Sequence, residues 1–120
     1  MTAGLVGRRI LVVEDEPLIS MEVELVLTET GAIVVGPAAS VAKALKLVEA
    51  EEIDCGVLDY MVEDGTSVPI GEALRARGVP FLLATGYNVD AISQTLPGVP
   101  RIDKPYAHAQ LFEMLAALLR

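Results

Sequence analysis

Five side chains suited to concerted chemistry lie just after short strand-like segments: Glu14 and Asp15 after Arg9–Val13, Asp59 after Cys55–Leu58, Thr85 after Pro80–Ala84, and Lys104 after Arg101–Asp103. In an open parallel sheet, residues at the carboxyl ends of the strands converge on one crevice at the switch point in strand order, so these groups should meet there. Three carboxylates gathered in one place repel one another and raise their own pKa values unless a cation shares the site. All-oxygen ligation with room for water suits magnesium. Lys104 supplies a positive charge opposite Asp59, and Thr85 supplies a hydroxyl donor. With a metal, these are the requirements of a phosphoryl group carried on a carboxylate oxygen. Asp59 is then the nucleophile, because a carboxylate attacking phosphorus needs the equatorial oxygens neutralised.

The elements that must position these groups follow from hydrophobic period and punctuation. Apolar runs alternate with stretches of helical period, and Gly or Pro marks nearly every junction, which reads as repeated βα units in an α/β domain. Arg9–Val13 is short and continuously apolar after its first residue, as in a strand covered on both faces. A helix over Glu16–Thr30 follows, ended by Gly31, and then a strand over Ile33–Gly36. Ser40 caps a helix that places Val41, Ala44, Leu45 and Val48 at i, i+3, i+4 and i+7 and ends near Glu51. Cys55–Leu58 is the third strand and Tyr60–Val68 a loop. Pro69–Arg77 is a helix closed by Gly78, and Pro80–Ala84 is the fourth strand. From Tyr87 to Leu96 the helical signal is weak, which predicts a short or irregular helix. Arg101–Asp103 is a fifth strand and Ala107–Arg120 a last, strongly apolar helix.

Composition narrows the function. A chain of 120 residues reads as one domain over residues 1–120, with no internal repeat or interdomain linker. It is 52% hydrophobic with a mean hydropathy of +0.50, too apolar for disorder, yet its apolar runs stop well short of a membrane span. The net charge of −8 and a pI near 4.5 repel nucleic-acid phosphate. Cys55, the single cysteine, excludes an internal disulfide and a zinc thiolate cluster, and reads as inert core. No signal-peptide pattern follows Met1, so a cytoplasmic location is expected. His108 has no evident partner and receives no role.

Taken together, Glu14-Asp15, Asp59, Thr85 and Lys104-Pro105, in this order and spacing over essentially the whole chain, resemble the receiver domain of bacterial two-component response regulators. The resemblance implies a flavodoxin-like doubly wound sandwich, with a five-stranded parallel sheet of order 2-1-3-4-5. It also implies phosphoryl transfer from a histidine kinase or histidine phosphotransferase to Asp59. Asp15 and Asp59 would ligate Mg2+ directly, Glu14 through water, and the Met61 carbonyl would complete the protein ligands. Lys104 and Thr85 would grip the phosphoryl oxygens, and a cis peptide would join Lys104 to Pro105. Such a domain signals through protein–protein interaction and assists its own phosphorylation and dephosphorylation rather than acting as an enzyme on other substrates. An origin within a hybrid histidine kinase or a multidomain regulator would share this chemistry.

Leu83-Ala84-Thr85-Gly86-Tyr87 resembles the motif of the FAT GUY subgroup of receivers, which is mostly single-domain, with Leu in place of Phe. Tyr87 is open between a packing role and a conformational reporter. Two positions depart from the common receiver pattern: Arg101 stands where an aromatic switch residue is usual, and the loop after Asp59 lacks a proline.

Two other classes compete with the receiver. An aspartate-nucleophile phosphatase of the haloacid dehalogenase type needs a second acid two residues after the nucleophile, where this chain has Met61. A flavodoxin-like cofactor binder needs free backbone N–H groups after the first strand, and Glu14-Asp15-Glu16 would repel the phosphate they hold. On the first helix, Ile19, Val23, Val26 and Leu27 form one apolar face. Leu18, Met21 and Leu25 make a second stripe on the other side. That stripe is expected to dock the phosphodonor, the alternative being self-association into a homodimer.

Overall fold

The computed structural model describes residues 3–86 and 96–120. Five parallel strands form one sheet: β1 (Arg9–Val13), β2 (Ile33–Ala38), β3 (Cys55–Asp59), β4 (Phe81–Thr85) and β5 (Arg101–Asp103). Their spatial order is 2-1-3-4-5, the expected one. The order reverses at β1, which lies between β2 and β3, and this switch point lies beside Asp15 and Asp59. The helices are α1 (Pro17–Glu29), α2 (Val41–Ala50), α3 (Val68–Ala76) and α4 (His108–Leu118).

Both faces of the sheet are covered, which explains why the strands are continuous apolar runs rather than alternating ones. Along β1, Leu11 and Val13 point into a core shared with Ala44 and Val48 of α2 and Ile70 and Leu74 of α3. Ile10 and Val12 point the other way, into a core with Val23 and Leu27 of α1 and Leu111 and Leu115 of α4. On α1 the buried residues are Val23 and Leu27, with Ile19 and Val26 half-buried on the expected inner face. Ser40 caps α2 as expected, its side chain accepting from Lys43 N at 3.1 Å. Cys55 is fully buried, and burial pushes its thiol up to about 12, which keeps it protonated and unreactive. No helix among the described residues is long and apolar enough to cross a membrane.

Element ends shift by a residue or two from the expected ones, and two of the differences have a physical cause. The strand expected to stop at Gly36 continues through Gly36-Pro37 to Ala38. Gly-Pro reads as a turn, but here the pairing register shifts between Leu11 and Val13 and the edge strand absorbs the irregularity as a bulge. Gly36 is required at that point. Its φ is +100°, and an added Cβ would lie 2.9 Å from Ala38 N and 3.1 Å from Val12 O. The loop expected over Tyr60–Val68 contains a small antiparallel hairpin that pairs Met61 with Thr66 and Val62 with Gly65. Two-residue strands are too short to show a period, so the sequence carries no signal for them. The weak fourth helix and Tyr87 lie outside the described residues, apart from Leu96, which is buried beside Gly71 of α3.

Candidate functional site

The carboxyl edge of the sheet assembles the site one strand at a time. After β1, Glu14 N donates to Ala38 O at 2.9 Å, which fixes the turn into α1. The Glu14 side chain is turned inward, and the residue is only 5% exposed. Asp15 beside it is half-buried. Asp59 is the last residue of β3 and is nearly buried. Glu14, Asp15 and Asp59 each bring one carboxylate oxygen to a common point, all within 4.8 Å of one another. The register of β3 on β4 pairs Asp59 with Ala84, so the fully buried Thr85 stands one residue beyond that pairing. The Thr85 carbonyl accepts from Lys104 N at 3.1 Å, tying the loop after β5 to the same edge. The Lys104–Pro105 peptide is cis, as the resemblance implied, and Gly36–Pro37 is cis as well.

Lys104 is shared between two acids. Its Nζ lies 2.7 Å from Glu14 Oε1 and 3.2 Å from Asp59 Oδ2. The sequence reading set Lys104 against Asp59, whereas the structure makes Glu14 its closer partner. The electrostatics follow this arrangement. Burial, together with the hydrogen bond and charge of Glu14, pushes the Asp59 carboxyl up to about 7 despite Lys104. Burial also acts to raise Glu14. The Lys104 ammonium, the Glu16 amide at 3.1 Å and a hydrogen bond with Asp59 outweigh it and hold Glu14 below its ordinary value. Lys104 is desolvated too, yet the two acids hold its pKa above the usual value. Without a further cation, Asp59 is therefore the acid of the pair that takes up a proton more readily. The donor set is all oxygen, rich in carboxylate and held on rigid strand ends, which fits a hard divalent ion such as magnesium.

Several residues escaped the sequence reading. Ser67 fastens the loop after β3: its hydroxyl donates to the Asp59 carbonyl, and its N–H donates to Tyr60 O at 2.8 Å. His108 is not partnerless, because its Nε2 lies 3.3 Å from Glu22 Oε1 on α1. That pair stands beside a cavity of about 270 Å3 between α1 and the β5–α4 connection, whose lining includes Ile19, Val23, Tyr106 and Lys104. No sequence signal connects residues so far apart. Met61 occupies the first strand of the hairpin, two residues beyond Asp59 and partly exposed.

Arg101 pairs with Asp103 two residues along its own strand, Nε to Oδ1 at 3.3 Å, and its Nη1 is buried with no hydrogen-bond partner among the described residues. Because Asp103 is largely exposed, this pair contributes little. Arg101→Ala is expected to change unfolding free energy by less than about 1 kcal/mol in urea denaturation and to leave acetyl phosphate labelling intact. Normal labelling with loss of a partner's response would instead identify Arg101 as the conformational reporter in place of the aromatic.

The family model described as response regulator receiver domain matches residues 10–116. No curated protein sequence matches the chain. Among solved structures, the BeF3-activated conformation of SdrG from Pseudomonas melonis Fr1 is 41% identical, with 93% of this chain and 96% of that one covered and a TM-score of 0.77. A response regulator receiver protein from Sinorhizobium medicae WSM419 is 24% identical over 94% of both chains, with a TM-score of 0.86. The receiver domain of a sensor histidine kinase from Pseudomonas aeruginosa PAO1, which has a magnesium ion coordinated in its active site cleft, is 23% identical. There, 95% of this chain and 98% of that one are covered, with a TM-score of 0.83.

Proposed function

The chain belongs to the response regulator receiver domain family, and from that premise we propose that it accepts a phosphoryl group on Asp59 from the phosphohistidine of a kinase or phosphotransferase. The observation that carries this reading is the convergence of three carboxylates, each with an oxygen within 4.8 Å of the others, with Lys104 Nζ in contact with two of the three groups. An Asp59 oxygen forms the new bond to phosphorus as the bond from phosphorus to the donor imidazole breaks. Lys104 then exchanges its contact with Asp59 for a phosphoryl oxygen, and the Thr85 hydroxyl serves another. Asp15, Asp59 and the Met61 carbonyl would hold magnesium, with Glu14 bound to it through water. The bound ion would neutralise charge on the phosphoryl oxygens. Slow hydrolysis at the same site resets the domain, and its signal passes through protein contacts. A core on each face of one sheet, together with the family match over residues 10–116, supports reading residues 1–120 as a single receiver. The test is intact-mass measurement after incubation with acetyl phosphate and magnesium. A phosphoryl adduct that disappears in Asp59→Asn is expected, and an adduct that persists in the variant would overturn the assignment.

The donor surface is proposed on α1. Leu18, Met21 and Leu25 are 81%, 65% and 59% exposed, on the side of the helix away from Val23 and Leu27. Glu22, Glu24 and Glu29 flank them, and α1 carries no Lys or Arg, so the complementary partner presents an apolar helix face bordered by basic residues. Replacing Leu18 and Leu25 by Ser should slow transfer from a phosphorylated donor by about tenfold, since loss of an interface anchor costs about 1 kcal/mol or more. Labelling by acetyl phosphate needs no protein partner and should be unchanged. Equal loss in both reactions would refute the docking role, while a changed oligomeric mass with transfer intact would assign the stripe to a homodimer.

A further inference from the structure

The hairpin after Asp59 is too small to hold itself in place. It pairs only Met61 with Thr66 and Val62 with Gly65, and isolated two-stranded pairings are marginal even when longer. No proline stiffens residues 60–68. The structure tethers the hairpin at both ends. At its base, Ser67 bonds to the carbonyls of Asp59 and Tyr60. At its tip, Asp64 reaches the start of α2, where Oδ1 accepts from Val41 N at 2.6 Å and Oδ2 from Ala42 N at 3.1 Å. Next to it, Glu63 N donates to Ala39 O at 3.4 Å. The segment bound in this way, residues 38–42, also accepts the Glu14 N–H through Ala38 O at 2.9 Å. One short stretch of backbone therefore joins the loop that carries Glu14 and Asp15 to the loop that follows Asp59.

We propose that Asp64 is a positioning residue of the phosphoacceptor site, whose clamp on the start of α2 sets the Met61 carbonyl at a fixed distance from Glu14 and Asp15. The inference rests on the magnesium-dependent phosphoacceptor reading above and adds to it a residue that touches neither metal nor phosphoryl group. Carboxylate capping of two amides at a helix N-terminus is a strong local contact, favoured further by the helix dipole. Asp64 is exposed, and what orients its carboxylate is these two amides together with its own backbone N–H. The brace does the work that a rigid loop would otherwise do, because a metal-ligating carbonyl is useful only at a defined place.

A comparison of two caps on the same helix end tests this. Asp64→Ala removes the link between α2 and the hairpin, whereas Ser40→Ala removes only the cap on Lys43 N and leaves that link intact. Amide NMR titration of each domain with magnesium chloride should show affinity reduced about tenfold in Asp64→Ala and changed less than about twofold in Ser40→Ala, the former being the lower end of what outer-shell supports contribute. Asp64→Asn, which keeps a single acceptor for the two amides, should fall between and covers the case in which Asp64→Ala does not fold. Labelling of Asp64→Ala by acetyl phosphate should be slow at low magnesium and recover at saturation, a split that a purely structural lesion would not produce. Wild-type affinity in Asp64→Ala, or an equal loss in Ser40→Ala, would overturn the brace alone. Absence of magnesium binding by the wild type would instead overturn the underlying metal reading.

Discussion

Asp59→Ala is expected to give no phosphoryl adduct under any concentration of acetyl phosphate and magnesium, because it removes the oxygen that forms the bond. Lys104→Ala and Thr85→Ala should fold and label slowly, reduced by about 10²- to 10³-fold, the usual effect of removing one group that stabilises developing charge. The two are expected to differ in a second respect. Lys104 bridges Glu14 and Asp59 at 2.7 and 3.2 Å, so its removal leaves two nearly buried acids without their shared cation. Lys104→Ala should therefore also lose stability, and magnesium should restore much of it. Thr85→Ala deletes a buried hydroxyl at the end of a strand and leaves no charge without its counterion. A time course of intact mass, with urea denaturation in the presence and absence of magnesium, separates the two effects. Equal labelling by Lys104→Ala and wild type would remove Lys104 from the site.

Without magnesium, the domain should be more stable as Asp59→Asn than as the wild type above pH 7. The folded-state pKa of Asp59 lies at about 7 against an ordinary value of 3.8, so the folded chain binds this proton more tightly than the unfolded chain does. Stability should fall as pH rises between those two values and level off above them. Glu14, held low, contributes stability that is present above its ordinary value of 4.5 and lost in acid. Lys104, held high, contributes stability that is lost only in alkali, above its ordinary value of 10.5. The decline between pH 4 and 7 thus belongs to Asp59. Replacing its charge by an amide should recover about 1 to 3 kcal/mol at pH 8 and little at pH 4, where the wild type is already protonated. Magnesium relieves the same repulsion, so millimolar magnesium should raise the melting temperature of the wild type at pH 8, and its affinity should weaken as pH falls below 7. No shift in melting temperature with magnesium at pH 8 would refute the metal site.

What could be read in advance was whatever depends on local pattern. Apolar runs identified four strands of the sheet and the proline-bounded Arg101–Asp103 the fifth, and Gly and Pro placed their ends closely enough to align Glu14, Asp15, Asp59, Thr85 and Lys104. The two sides of α1 followed from helical period, with Val23 and Leu27 buried and Leu18 and Met21 exposed. Missing were the features made by residues distant in sequence. Asp64 reads as the first half of an Asp-Gly turn, and nothing local says that its carboxylate caps a helix begun more than twenty residues earlier. The preference of Lys104 for Glu14 over Asp59 depends on distances between strand ends that the pattern alone cannot supply. Glu22 and His108 meet only because α1 and α4 pack on the same face of the sheet. At Gly36-Pro37 the local signal was present but ambiguous, since the same dipeptide serves a turn or an edge-strand bulge.

That bulge bears on how the molecule behaves in a crowded solution. A five-stranded sheet has two rims, each a row of unpaired amides and carbonyls open to another chain. Here one rim is β2, broken by Pro37, which offers no amide, and by the irregular step at Gly36. The other is β5, three residues long, with charged Arg101 and Asp103 on either side of Ile102. Neither rim presents a long, flat template to a neighbouring sheet. Irreversible strand-to-strand accretion is disfavoured, and association is left to helix surfaces, where contacts made with one partner can be released for the next.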